Sequence, residues 1–116
     1  MHKFRKLTVW QRAMDFVTDI YRVTNQFPRS EQFGLTSQIR RASISIPLNI
    51  AEGAGAGSKT EFQRFLNYAL RSTYEVTSAL EIARNLNYCP KEHSDTLLDE
   101  TDQLAAMIVG LSRKLV

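Results

Sequence analysis

"SISIPLNIAEGAGAGSKT", Ser43–Thr60, carries the choice between two folds. Its first half alternates apolar and polar residues, as a half-buried strand does. Its second half reads Gly53-x-x-x-x-Ser58-Lys59-Thr60, one residue away from the phosphate-cradling loop G-x-x-x-x-G-K-[ST]. Strand, loop and helix would make a nucleotide site. Helix, turn and helix would make a bundle.

The rest of the chain decides between them. Leu35, Ile39, Ala42, Ile46 and Ile50 also fit helical spacing across the contested stretch. Before it, Trp10, Ala13, Met14, Val17, Ile20, Tyr21 and Thr24 recur at threes and fours. Thr8 and Gln11 read as a capping box, and Phe27-Pro28 as a stop. After it, Ser58 and Glu61 read as a second capping box. Phe62, Phe65, Leu66, Ala69, Thr73, Val76, Leu80, Ala83 and Leu86 follow, until Asn87 and Pro90 bracket the end. Pro90 then opens a last segment, in which Leu97, Thr101, Leu104, Ile108, Leu111 and Leu115 form an unbroken seam. A lone strand among three helices has no pairing partner, and unpaired buried backbone is costly. The alternating residues of 43–50 therefore read as two buried faces of one helix, with Pro47 predicted to kink it.

The expected fold is all-α: one domain, residues 1–116, with helices near 8–25, 35–53, 59–87 and 91–115. These make an antiparallel up-down-up-down four-helix bundle. With the second helix apolar on two faces, and one protomer's core able to cover one of them, a homo-oligomer is expected. The phosphate-loop reading loses its strand, and Ser58 stands where its glycine belongs. Gly53 instead reads as the end of the second helix and Ser58 as the cap of the third. The free N–H groups at that helix start, with Lys59 beside them, remain a place for a backbone phosphate.

The chain of 116 residues has a net charge of +3, unevenly spread. Residues 1–71 carry 11 Lys or Arg and 5 Asp or Glu; residues 72–116 carry 4 and 7. A basic half suits a polyanion, or an acidic face of a neighbouring subunit. Lys3, Arg5, Lys6 and Arg12 precede any acid, with Arg40, Arg41, Lys59 and Arg64 behind them as further phosphate contacts. No aromatic stacking platform is apparent on the helical faces, so base readout is not expected. Asn49 and Glu52, in apolar surroundings, together with Arg71 and Glu75, are expected to form a partly buried polar network that fixes helix register or a subunit contact.

His2 and His93 have no companions at metal-ligand spacing, and no nucleophile and base are arranged together. The chain reads as a non-enzyme without metal or cofactor. It has no apolar run of membrane length and no secretory leader, so no membrane association is expected. Its single cysteine, Cys89, fits a reducing cytoplasm.

"LTVWQRAMDFVTDIYRVTNQFP", "EQFGLTSQIRRASISIPLNIAEGAG" and "EFQRFLNYALRSTYEV" resemble the four-helix-bundle proteins encoded in intervening sequences of bacterial 23S ribosomal RNA genes. The most specific match is S-I-P-x-N-I-A-E-G at Ser45, Ile46, Pro47, Asn49, Ile50, Ala51, Glu52 and Gly53; Arg71, Ser72 and Glu75 match a weaker signature. The turn "AGAGS" is smaller and less basic than in related sequences. The resemblance implies a bundle assembling into a ring, commonly a pentamer. It also implies likeness to the accessory variability proteins of diversity-generating retroelements, which work with a reverse transcriptase and nucleic acid. Two functions follow as expectations: a nucleic-acid-binding accessory factor using RNA or DNA, or a protein-interaction scaffold with an acidic protein partner.

Overall fold

The structure, a computed structural model, describes residues 2–115. It consists of a 3-10 turn at Lys3–Lys6, helix α1 at Thr8–Thr24, a second 3-10 turn at Arg29–Glu31, and helices α2 at Leu35–Ala54, α3 at Lys59–Asn85 and α4 at Lys91–Lys114. The described residues contain no strand. Every helix boundary falls within two residues of the sequence expectation. The molecule measures 43 × 22 × 20 Å, and its long axis is about one α3 length, at ~1.5 Å per residue.

Ser43–Ile50 lies inside α2, with Pro47 buried in the helix. The alternation is resolved by side. Ile39, Ile46 and Ile50 are fully buried, Ile44 is half-buried, and Leu48 is 55% exposed. α2 packs chiefly on α3 and next on α1, which covers most of its apolar residues within one chain and leaves Leu48 exposed.

The α1 stripe is also rotated from expectation. Val9, Ala13, Phe16, Ile20 and Thr24 are buried, whereas Met14 and Tyr21 are 44% and 38% exposed. Leu66, Ala69, Val76, Leu80 and Ala83 of α3 meet Leu97, Leu104 and Ile108 of α4 in the same core, and Leu111 and Leu115 cover its edge. Hydroxyls inside the core are satisfied locally. Thr73 donates to the Leu70 carbonyl at 2.6 Å and Thr101 to the Leu98 carbonyl at 2.7 Å, while Thr77 reaches Thr101 at 3.2 Å.

The helix ends use devices that sequence spacing only partly foretold. Ser58 Oγ accepts from the Glu61 N–H at 3.1 Å, as a cap should. Thr8 is not a cap: Leu7 holds that position, and the Gln11 amide donates to the Arg5 carbonyl at 2.7 Å instead. α2 has no side-chain cap at Gly34; Glu31 reaches forward to accept the Leu35 N–H at 3.1 Å and the Tyr88 hydroxyl at 2.8 Å. Those bonds, the backbone one first, hold the Glu31 carboxyl below the usual carboxylate range, and Glu31 in turn pushes the Tyr88 phenol up. α3 closes with Asn87 at φ 59°, its N–H on the Arg84 carbonyl and the Tyr88 N–H on the Ala83 carbonyl, both at 3.0 Å.

Gly53 does not end α2. It lies one residue inside, where a Cβ would sit 2.8 Å from Phe65 Cβ and 3.2 Å from the Phe62 carbonyl oxygen. Its missing side chain lets α3 approach. The conformational glycine is Gly57, at φ 83°, in the four-residue turn to α3. With a helix before that turn, the phosphate-loop geometry has no strand to stand on.

Candidate nucleic-acid interface

The 3-10 turn folds because the Leu7 N–H reaches the Phe4 carbonyl at 3.0 Å, the Arg5 N–H reaches the His2 carbonyl at 3.3 Å, and Gln11 ties down Arg5 from α1. Aromatic contacts fix its sides. The Phe4 ring meets Trp10 edge-on at 5.1 Å and stacks with His2 at 5.6 Å, 12° from parallel. This leaves Lys3, Arg5 and Lys6 exposed. The turn sits against the last turn of α2, enclosing a cleft of about 680 Å³ lined by His2, Lys3, Phe4, Ala51, Glu52, Ala54 and Gly55. Lys59 opens α3 just across the Gly55–Ser58 turn and is exposed as well.

The eight basic residues picked from sequence separate into four groups. Lys3 lines this cleft, Arg5 and Lys6 follow it on the same 3-10 turn, and Lys59 comes four residues after Gly55; none makes an ion pair among the described residues. Arg64 is one turn further into α3. Its guanidinium pairs with Glu61 at 2.8 Å, which raises its pKa further, and lies over Phe65 and Tyr68 at 5.3 and 5.7 Å.

Arg12 and Arg40 belong to the scaffold. Arg12 grips Glu100 of α4 with bonds of 2.8, 2.9 and 3.1 Å, and also engages Gln103 and Met107. Arg40 donates to Thr24 at 2.9 Å and Asn25 at 3.0 Å and covers the Tyr21 ring at 4.4 Å. Both guanidiniums are spent on joining helices, so neither is a free phosphate contact. Arg41 is exposed but stands elsewhere, on a groove of about 570 Å³ between α2 and α3 that also holds Ser37, Gln38, Ser45, Ser72 and Glu75.

The expected ionic network is not formed within the chain. Glu52, Arg71 and Glu75 are exposed, with no ion pair among the described residues. Asn49 alone is half-buried. Its amide donates to the Ser45 carbonyl at 2.8 Å and hydroxyl at 2.9 Å, and Ser45 meets the Ser72 hydroxyl of α3 at 2.9 Å. A neutral hydroxyl–amide chain replaces the charged one, which avoids the cost of desolvating ions.

Two features escaped the sequence reading. Gln63 donates to the Ser112 carbonyl at 3.0 Å, bringing the last turn of α4, with Arg113 and Lys114, to the start of α3. The His2–Phe4–Trp10 cluster was also missed, since it is built on the 3-10 turn and not on a helical face.

The sequence pattern described as "23S rRNA-intervening sequence protein" matches residues 5–110. The chain belongs to that family. Its fold is also that of the crystal structure of a protein with unknown function from the S23 ribosomal protein family of Bacteroides thetaiotaomicron VPI-5482. The two superpose with a TM-score of 0.84 at 23% identity, over 90% of this chain and 98% of that one. No curated protein matches the sequence. The family match spans the Ser45–Gly53 motif and the α2 wall of the cleft, while His2, Lys3 and Phe4 lie before it. Within the described residues, no helix is long and apolar enough to cross a membrane.

Proposed function

We propose that this family member is a non-enzymatic, ring-forming bundle that binds nucleic acid electrostatically, as a cytoplasmic accessory factor to a ribonucleoprotein or a reverse transcriptase. One observation carries the reading. Lys3, Arg5 and Lys6, on the 3-10 turn packed against α2, and Lys59, at the start of α3, are all exposed with no ion pair among the described residues, while Arg12 and Arg64 are occupied. Unpaired bases gathered on one surface are the footprint of a phosphate backbone. Arg113 and Lys114, at the α4 turn that reaches the start of α3, extend it.

The chain path in this proposal is up-down-up-down. The pairings Ser45–Ser72 and Gly53–Phe65 between α2 and α3, and Gln63–Ser112 and Arg84–Asp95 between α3 and α4, support it. The ring is taken as a pentamer, in keeping with the family resemblance. Its contact surface is the set of apolar side chains left outside the core: Phe33 at 91% exposure, Tyr74 at 57% and Leu48 at 55%. Repetition around a ring lets weak sites act together.

The deciding experiment is a salt titration of binding to a mixed-sequence single-stranded RNA. Log affinity is expected to fall by about 0.7 per log salt for each phosphate engaged. Replacing Lys3, Arg5, Lys6 and Lys59 by Ala is expected to flatten that slope with the helical circular dichroism unchanged. Absent binding at ~50 mM salt, or a slope indifferent to the four changes, overturns the reading. A protein-interaction scaffold with an acidic partner then takes its place, a reading favoured by the exposed Phe33 beside the Arg41 groove.

A further inference from the structure

The cleft beside the 3-10 turn has a composition that phosphate binding does not explain. One wall is aromatic: the His2–Phe4 stack, with Phe4 braced edge-on by Trp10. The facing wall is Ala51, Ala54 and Gly55, small residues that leave a slot. Its volume of about 680 Å³ is in the range of small-ligand clefts. Lys3 lines it and Arg5 and Lys6 follow on the same turn, yet it also contains one carboxylate, Glu52, which is exposed and makes no hydrogen bond or ion pair among the described residues. A surface built only to attract phosphate gains nothing from an acid there.

We infer that this cleft takes one unpaired guanine base of a single strand, stacked along the His2–Phe4 wall and read by Glu52, with the flanking phosphates on Lys3, Arg5 and Lys6. A flat aromatic wall opposite small residues accepts a base plane, as single-strand sites do. An ionised carboxylate only accepts hydrogen bonds, through two oxygens. Guanine alone among the RNA bases presents two adjacent donors on its pairing edge, N1–H and the N2 amino group. Adenine and cytosine each offer one donor group beside a ring-nitrogen acceptor. Uracil offers one donor between two carbonyls. A carboxylate using both oxygens therefore finds two adjacent donors on guanine alone, and on the other bases an acceptor stands beside the one donor. The inference rests on the nucleic-acid reading above and adds to it the strand type and the base.

Trp10 is the only tryptophan, and its contact with Phe4 makes its fluorescence a local reporter. The full chain is titrated with the RNA pentamers UUGUU, UUAUU, UUCUU and UUUUU at a fixed ~50 mM salt. UUGUU is expected to bind about tenfold more tightly than the other three and to change Trp10 emission most. Glu52→Gln is expected to bring the four within about twofold of one another while keeping salt-dependent binding. Phe4→Leu, checked by circular dichroism for intact helices, is expected to weaken UUGUU by about tenfold, the lower part of the range for one stacked base. Equal affinities for the four pentamers with normal salt dependence overturn the guanine site and leave the electrostatic reading standing. A guanine preference that survives Glu52→Gln overturns the role of Glu52. Absence of binding by any strand overturns this inference and the proposed function together.

Discussion

Gly53 shows how a single hydrogen in place of a methyl sets the distance between two helices. A methyl there would press on Phe65 Cβ at 2.8 Å and on the Phe62 backbone carbonyl, neither of which is the loose end of a flexible side chain. Gly53→Ala is therefore expected to destabilise the fold by about 1–3 kcal/mol, read as a lowered denaturant midpoint, although alanine is the better helix former. The glycine was visible in the sequence, but its purpose was not. A chain-terminating glycine and a close-packing one look alike until the neighbouring helix is in place. The bonds that hold Arg12 and Arg40 were hidden for the same reason, since the partner Glu100 lies 88 residues from Arg12. Glu31 and Tyr88 give a residue-scale pH signature. The carboxyl is held below its ordinary range, so its contribution is complete above that range and is lost as pH falls through the lowered value. The phenol is raised, so its contribution is complete below the ordinary tyrosine range and is lost as pH rises through the raised value. Tyr88→Phe is expected to lower stability near neutral pH and to remove the alkaline loss, as seen in chemical denaturation across the pH range.

Helices were the most legible level, because four uninterrupted 3.6-residue patterns and clear breakers left little competition. The rotation of α1 was less legible. Met14, Val17 and Tyr21 make one stripe with Ala13 and Ile20, and Val9 and Phe16 make another with the same two residues. Periodicity admits both, and only the position of α2 and α4 selects the second. The two stripes separate in a mutation pair. Phe16→Ala, at 1% exposure, is expected to cost about 3–5 kcal/mol, and Met14→Ala less than about 1 kcal/mol. Comparable losses from both would mean that α1 is turned toward the sequence-derived stripe.

On the scale of the molecule, the exposed apolar residues, Leu48 of α2 among them, are the surface that the proposed ring would cover. Phe33, Leu48, Tyr74, Ile82 and Leu86 are each about half exposed or more. Such a population is better covered than left in water. Light scattering on the eluting peak of a sizing column is expected to give five times the 13.3 kDa of one chain, and a mass of one chain would sink the ring. The candidate site was half legible. Its charges stood in the sequence as the run Lys3, Arg5, Lys6, but the cleft is formed by residues about 50 positions apart and exists only after folding.

The Arg12–Glu100 clamp also bears on the order of folding. α1 with α2, α2 with α3 and α3 with α4 are neighbours along the chain, and each pair meets by closing a short connection. The Arg12–Glu100 contact between α1 and α4 closes a loop of 88 residues, among the entropically most demanding closures in the molecule. That contact therefore forms after the rate-limiting step, once the other pairs have brought its ends together. Arg12→Ala is expected to cost about 1–2 kcal/mol, almost all of it as faster unfolding, with the refolding rate in stopped-flow mixing nearly unchanged. A variant that refolds slowly and unfolds normally would place the clamp in the nucleus instead.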